Sequence, residues 1–236
     1  MSQGSFRTTR WTVIRAARAK NEPDSAAALA SLCEAYWYPL YFFVRRLGHG
    51  ADDASDLTQG YFLNLLERDY LDTVREDAGK FRSFLLASMK HYMANVKRDA
   101  AALKRGGGQV PISLDMDAAE NRYRHEPVNE ETPDRAYERR WALTVIDRAR
   151  RALRAEFEKV GKTRHFTLLA GHLSGSGDGK SYREIAQELE TTEAAVKMSI
   201  SRMRRQFGRA LREQIADTVD GTEDVDAEVK HLLTIL

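Results

Sequence analysis

The chain has 236 residues, 42% of them hydrophobic, enough apolar material for one large domain or two small ones. Charged residues make up 31% yet nearly cancel to a net charge of +2, so the overall balance does not mark a nucleic-acid protein. No apolar run approaches the roughly 20 residues that cross a bilayer, no hydrophobic signal segment opens the chain, and the single cysteine, Cys33, has no partner for an intrachain disulfide; a cytoplasmic protein without membrane insertion is expected.

Most apolar positions recur at spacings of three and four, and little period-2 alternation of β-branched residues is present, so an all-α fold is expected. Arg10 to Ala19 reads as a short helix within an N-terminal extension, residues 1–24. Ser25 to Leu47 follows as a longer helix, with Leu29, Leu32, Tyr36, Leu40, Phe43 and Leu47 on one face and Pro39 positioned to kink it. Gly48 to Gly50 closes that helix. Asp52 to Glu67 forms the next, its acids placed where the helix dipole favours them and its Leu57, Tyr61, Phe62 and Leu65 turned to the bundle. Arg68 to Lys80 reads as a loop with a short helical piece, and Phe81 to Lys104 as a helix both aromatic and basic. The run Arg105-Gly106-Gly107-Gly108 ends the first domain, residues 25–105.

Charge is segregated along the rest. Residues 115–134 hold seven acids and two bases, and 106–134 has the composition of a disordered linker. Arg135 to Glu158 and Thr163 to Leu173 are the first helices of a second domain, residues 135–213, with Trp141, Val145 and Leu153 as anchors. The basic islands are 75–105, with eight bases against three acids, and 180–212, with eight against four. After Arg212 the tail holds seven acids and one base. Its Val225, Val229, Leu232 and Leu233 have helical spacing, and its charge suits the Arg202 to Arg212 face or another protein.

Ser181 to Leu211 reads as a helix-turn-helix. Ser181 and Glu184 match a capping box. Ile185 and Leu189 lie one turn apart, and Ala186 is small enough for a close helix crossing. Thr191 and Thr192 are N-cap candidates for the second helix, in which Val196, Ile200, Met203 and Phe207 make an inward stripe. Thr192, Glu193, Lys197, Met198, Ser201, Arg202 and Arg205 occupy the other surface, as a recognition helix in a major groove requires. Glu190 stands at the turn position where a left-handed backbone favours glycine, at a cost of about 1 kcal/mol.

Three segments together resemble the extracytoplasmic-function (ECF) subfamily of sigma-70 RNA polymerase sigma factors. Asp53-Ala54-Ser55-Asp56-Leu57-Thr58-Gln59-Gly60-Tyr61-Phe62 is similar to the family's polymerase-docking helix. Phe81-Arg82-Ser83-Phe84-Leu85-Leu86 is similar to the segment that opens and reads the nearer promoter element, and Ser181 to Ala186 with Val196-Lys197 to the helix-turn-helix that reads the farther one. The resemblance implies that Asp53, Asp56, Leu57, Gln59 and Phe62 meet core RNA polymerase. It implies that Lys80, Arg82, Lys90, His91, Lys97 and Arg98 hold melted promoter DNA, with Tyr70 or Phe81 available to stack on a flipped base. Cations beside π faces suit single-stranded DNA independently of the resemblance; core packing is the competing role for Phe81, Phe84 and Tyr92, and the commoner one for Phe84. Promoter DNA and core polymerase are the implied partners, with room for an anti-sigma or other regulatory protein; no cofactor, metal or catalytic residue of its own is expected. A stand-alone helix-turn-helix regulator is the alternative. A helical enzyme using Asp52, Asp53 and Asp56 has little behind it, since no matching carboxylate and histidine motif accompanies them.

Overall fold

The computed structural model describes residues 23–67, 80–102, 116–126, 131–173, 179–216 and 222–236. All regular structure among these residues is helical. In chain order the helices are α1 (Pro23–Arg46), α2 (Ala51–Glu67), α3 (Phe81–Ala102), α4 (Met116–Arg124), α5 (Pro133–Lys159), α6 (Thr163–Leu169) with a 3-10 turn at Ala170–His172, α7 (Tyr182–Glu188), α8 (Glu193–Ala216) and α9 (Thr222–Ile235). The expected helix at Arg10 to Ala19 and the loop carrying Tyr70 lie outside the described residues.

The chain divides into two compact units, residues 1–144 with 216–236, and residues 145–215. The division falls inside α5, ten residues beyond the domain start expected at Arg135, and the tail belongs to the first unit.

Aromatic packing builds the first unit. Tyr36, Leu40 and Phe43 of α1, Tyr61, Phe62 and Leu65 of α2, Phe81, Leu85 and Met89 of α3, and Tyr137 and Trp141 of α5 are all buried. Tyr36 meets the edge of Phe81 at 5.4 Å between centroids, and Phe43 meets Tyr137 at 6.4 Å, geometries that suit the ring quadrupoles. Burial with these neighbours pushes the Tyr137 hydroxyl pKa well up, and the hydroxyl donates to the Arg82 carbonyl at 3.0 Å. Helix α1 runs through Pro39 and stops at Gly48, whose φ of 95° is the left-handed conformation glycine adopts freely. Leu47, expected inside, comes just after the helix end and is exposed.

Part of the expected linker is structured. Helix α4 lies on α1, where the Tyr41 hydroxyl donates to Glu120 at 2.5 Å, Arg45 reaches the same carboxylate at 3.1 Å, and Phe42 packs on Tyr123. Composition suggests a tether, but Glu120 meets two cations and a phenol, and Ala119 is buried. Burial raises the Glu120 pKa, yet hydrogen bonds from Tyr41 and Arg124 and the charge of Arg45 hold it below the usual carboxylate range.

The tail also departs from expectation. Helix α9 belongs to the first unit, where it places Glu228 against Arg82 at 2.7 Å and Lys80 at 2.6 Å. Leu232 is buried beside it, while Leu233, expected on the same face, is exposed.

The second unit closes around Leu153, Phe166, Leu169, Ile185, Val196, Ile200 and Met203. Helix α5 enters it and ends at Gly161, φ 69°, with the Lys162 amide donating to the Phe157 carbonyl at 2.8 Å and the Gly161 amide to Glu158 at 3.0 Å. That pair of bonds is a Schellman cap.

Candidate nucleic-acid interface

The helix-turn-helix is set by three local devices. Ser181 accepts from the Glu184 amide, and Glu184 accepts from the Ser181 amide at 2.7 Å, completing the capping box that starts α7. These bonds from Ser181 hold the Glu184 pKa below its usual value. The end of α7 is a second Schellman cap: the Thr191 amide reaches the Ala186 carbonyl at 2.9 Å, the Glu190 amide reaches Gln187 at 3.3 Å, and Glu190 sits at φ 52°. The left-handed turn expected at Glu190 is therefore present. Thr192 then caps α8 by accepting from the Ala195 amide at 3.2 Å.

Once α8 is started there, its periodicity determines what faces out. Val196, Ile200 and Met203 are buried and Phe207 half-buried, which turns Thr192, Glu193, Lys197, Met198, Ser201, Arg202 and Arg205 to solvent. Met198 is 58% exposed, an unusual position for a large apolar side chain and one suited to touching a base edge or thymine methyl. Positions 198, 201, 205, 209 and 212 continue this face along the helix, adding Arg209 and Arg212. Beside it, Tyr182, Lys197, Ser201, Arg204, Arg205 and Arg212 line a cationic depression. Arg204 is anchored, donating through Nε and Nη2 to the His172 carbonyl at 3.0 and 2.8 Å. His172 in turn contacts the Lys180 carbonyl at 2.9 Å, and its ring lies 5.1 Å from that of Tyr182. A Cβ on Gly179 would come within 3.1 Å of the His172 ring, which explains a glycine there. Neither His172 nor Arg204 stood out in the sequence, because each acts across the unit rather than along one helix.

Residues expected to hold melted DNA fare differently. His91, Lys97 and Arg98 are exposed on α3, and Lys90 is exposed but paired with Asp134 and lies 5.7 Å from the Phe43 ring. Arg82 is only 3% exposed: it binds Glu228, lies 3.8 Å from Glu138 and rests 4.9 Å over Trp141. Its direct contact with DNA is thus corrected for this conformation, and Lys80 shares the same carboxylate. Phe81 is fully buried and offers no face to a flipped base.

The expected polymerase-docking residues divide in the same way. Asp53 and Asp56 are exposed, and Leu57 and Gln59 half-buried, but Phe62 is a core residue at 1% exposure and is corrected from contact to packing. Its burial agrees with the apolar periodicity that turns Tyr61 and Phe62 to the bundle. Leu47, His49, Asp53, Asp56, Leu57, Tyr92, Met93, Val96 and Lys97 line a groove of about 830 Å³ in which apolar side chains stand beside two acids, a lysine and a histidine. It unites positions assigned to polymerase with one assigned to DNA, Lys97. Gly60 permits this arrangement, since a Cβ there would stand 2.3 Å from the Tyr92 hydroxyl.

Comparison with protein-family models, with curated proteins and with solved structures found no match for the chain. Among the described residues no group of three or more His, Cys, Asp or Glu side chains gathers to hold a metal, and no helix is long and apolar enough to cross a membrane. The residue that sequence reasoning missed most completely is Glu228. Its signal was available: it stands three residues after Val225 and four before Leu232, a lone carboxylate in the apolar stripe of α9.

Proposed function

We propose that the chain is a sigma factor of the ECF type, which binds core RNA polymerase, directs it to particular promoters and helps open the start region. The observation that carries this reading is the exposed face of α8, where all seven residues assigned to the farther promoter element lie on one correctly capped helix. Lys197, Arg202 and Arg205 then supply phosphate contacts, and Thr192, Glu193 and Met198 read base edges. The groove at Asp53, Asp56 and Leu57 supports the second half of the reading, since exposed carboxylates beside apolar side chains suit a basic amphipathic helix of the polymerase. The phosphodiester chemistry belongs to the polymerase.

Run-off transcription with purified core polymerase and a genomic promoter library, with and without the protein, tests the proposal. The expected result is new, discrete starts that share two upstream sequence elements. No new starts together with no binding to core would favour a stand-alone regulator, for which the helix-turn-helix unit and its own core are sufficient.

A further inference from the structure

Helix α9 meets the first unit mainly through charge. Its sequence, TEDVDAEVKHLLTI, puts Leu232 fully inside, but Val225 and Val229 are only half-buried and Leu233 is 65% exposed. A 14-residue helix with so little apolar anchorage is marginal by itself. What it inserts instead is Glu228, 1% exposed, with one oxygen 2.7 Å from Arg82 and the other 2.6 Å from Lys80. Arg82 also faces Glu138, whose carboxylate lies 3.5 Å from His231 of α9. One carboxylate set between two cations holds the charge position that a phosphate would take.

We propose that α9 is an internal strap whose Glu228 occupies the place of a nucleic-acid phosphate on Lys80 and Arg82, so that this end of α3 engages single-stranded DNA only when α9 leaves. The inference rests on the reading of α3 as the DNA-opening helix. Withdrawal of the buried carboxylate calls for a replacement anion, because only Glu138, at 3.8 Å, would then remain beside the Arg82 guanidinium. An incoming phosphate satisfies that condition and water alone does so less well. Exchange is therefore driven by a polyanion, and the strap selects against weak or transient nucleic-acid contacts. It also relocates the acidic tail's effect from the recognition helix to the start of α3.

Fluorescence anisotropy of the full chain with a fluorescein-labelled oligothymidylate across a salt series tests the strap. Glu228→Gln is expected to bind about tenfold tighter than wild type, within the usual range of intramolecular coupling. Unchanged affinity would overturn the proposal. Wild-type protein gives a second readout that requires no variant: saturating oligothymidylate should release the amide-exchange protection of 222–236, and retained protection would overturn the strap. Promoter-specific run-off with unchanged oligothymidylate binding would remove the strap and leave the sigma factor. Release of α9 without polymerase-dependent starts would keep the strap and remove the sigma factor.

Discussion

The two basic islands of this chain differ in what already holds their cations. On α8 the residues assigned to DNA are exposed, and the helix behind them is fixed by caps and an apolar stripe that lie close in sequence. At the start of α3, Lys80 and Arg82 are engaged by Glu228, which is 146 residues from Arg82, and Lys90 is paired with Asp134, 44 residues away. A row of positive residues is thus an open surface in one unit and half of an ion-pair network in the other. Local pattern distinguishes helix faces; it does not reveal which distant acid returns to cover one.

Replacing the same residue type in the two places breaks this comparison most sharply. Arg82→Ala leaves Glu228 buried with Lys80 alone and strips the Trp141 ring of its cation, so a stability loss of about 3 kcal/mol is expected in urea unfolding. Arg205→Ala removes an exposed charge and should change stability by no more than about 0.5 kcal/mol. Equal losses would mean that the burial of Arg82 carries no energetic consequence. The DNA readout should run in the opposite sense. With promoter duplex, Arg205→Ala should weaken all sequences similarly and flatten the log–log salt slope by about 0.9, one phosphate's share. Glu193→Ala should instead change which promoter is preferred, and a uniform loss from both variants would sink the division into phosphate and base contacts.

How much was legible follows from these distances. The boundaries of α1, α2, α3 and α5 lie within a few residues of expectation, because caps, glycines and apolar periodicity act over one or two turns. The capping box at Ser181, the cap at Thr192 and the left-handed Glu190 were likewise visible, each being a property of four or five consecutive residues. The inward turn of Tyr61 and Phe62 was legible in the periodicity of α2, and the polymerase contact that the resemblance added for Phe62 is at odds with its burial. Helix α4 was hidden by its acidic surroundings, since what orders it is Tyr41 and Arg45 of α1 rather than its own propensity. Arg82 was misplaced for the same reason, and Glu228 is the distant partner that sequence alone could not assign to it.

A smaller effect sharpens the comparison within the second unit, where two Schellman caps differ in one residue. Gly161 and Glu190 both adopt the left-handed backbone, at φ 69° and 52°. Glu190→Gly should stabilise the unit by roughly 0.5 kcal/mol, the relief of steric strain exceeding glycine's added chain entropy. Gly161→Ala should destabilise it by about 1 kcal/mol, although nothing crowds a Cβ there, because the cost lies in φ alone. Thermal unfolding followed by far-ultraviolet circular dichroism measures both, and a loss from Glu190→Gly would show that the glutamate makes a compensating contact.

The smallest expected effect concerns pH, and it separates hydrogen bonding from charge in the capping box. Glu184 is held below its ordinary pKa by the Ser181 hydroxyl and amide. Its contribution is therefore complete at pH values above the unfolded carboxylate pKa and is lost as pH falls through the lowered, folded value. Glutamine serves the same cap without titrating. Glu184→Gln should consequently keep α7 intact at neutral pH, as judged by amide exchange at residues 182–188, while removing the acid-dependent fraying of that helix. If α7 in the variant still frays over the wild-type acid range, the sensitivity belongs to another carboxylate. Helix α4 offers the matching test in the first unit, because Glu120 is also held low and its protonation should loosen α4 as pH falls through the same acidic region. Exchange read at both helices in one acid titration would then separate the loss of a cap within a helix from the loss of a contact between helices.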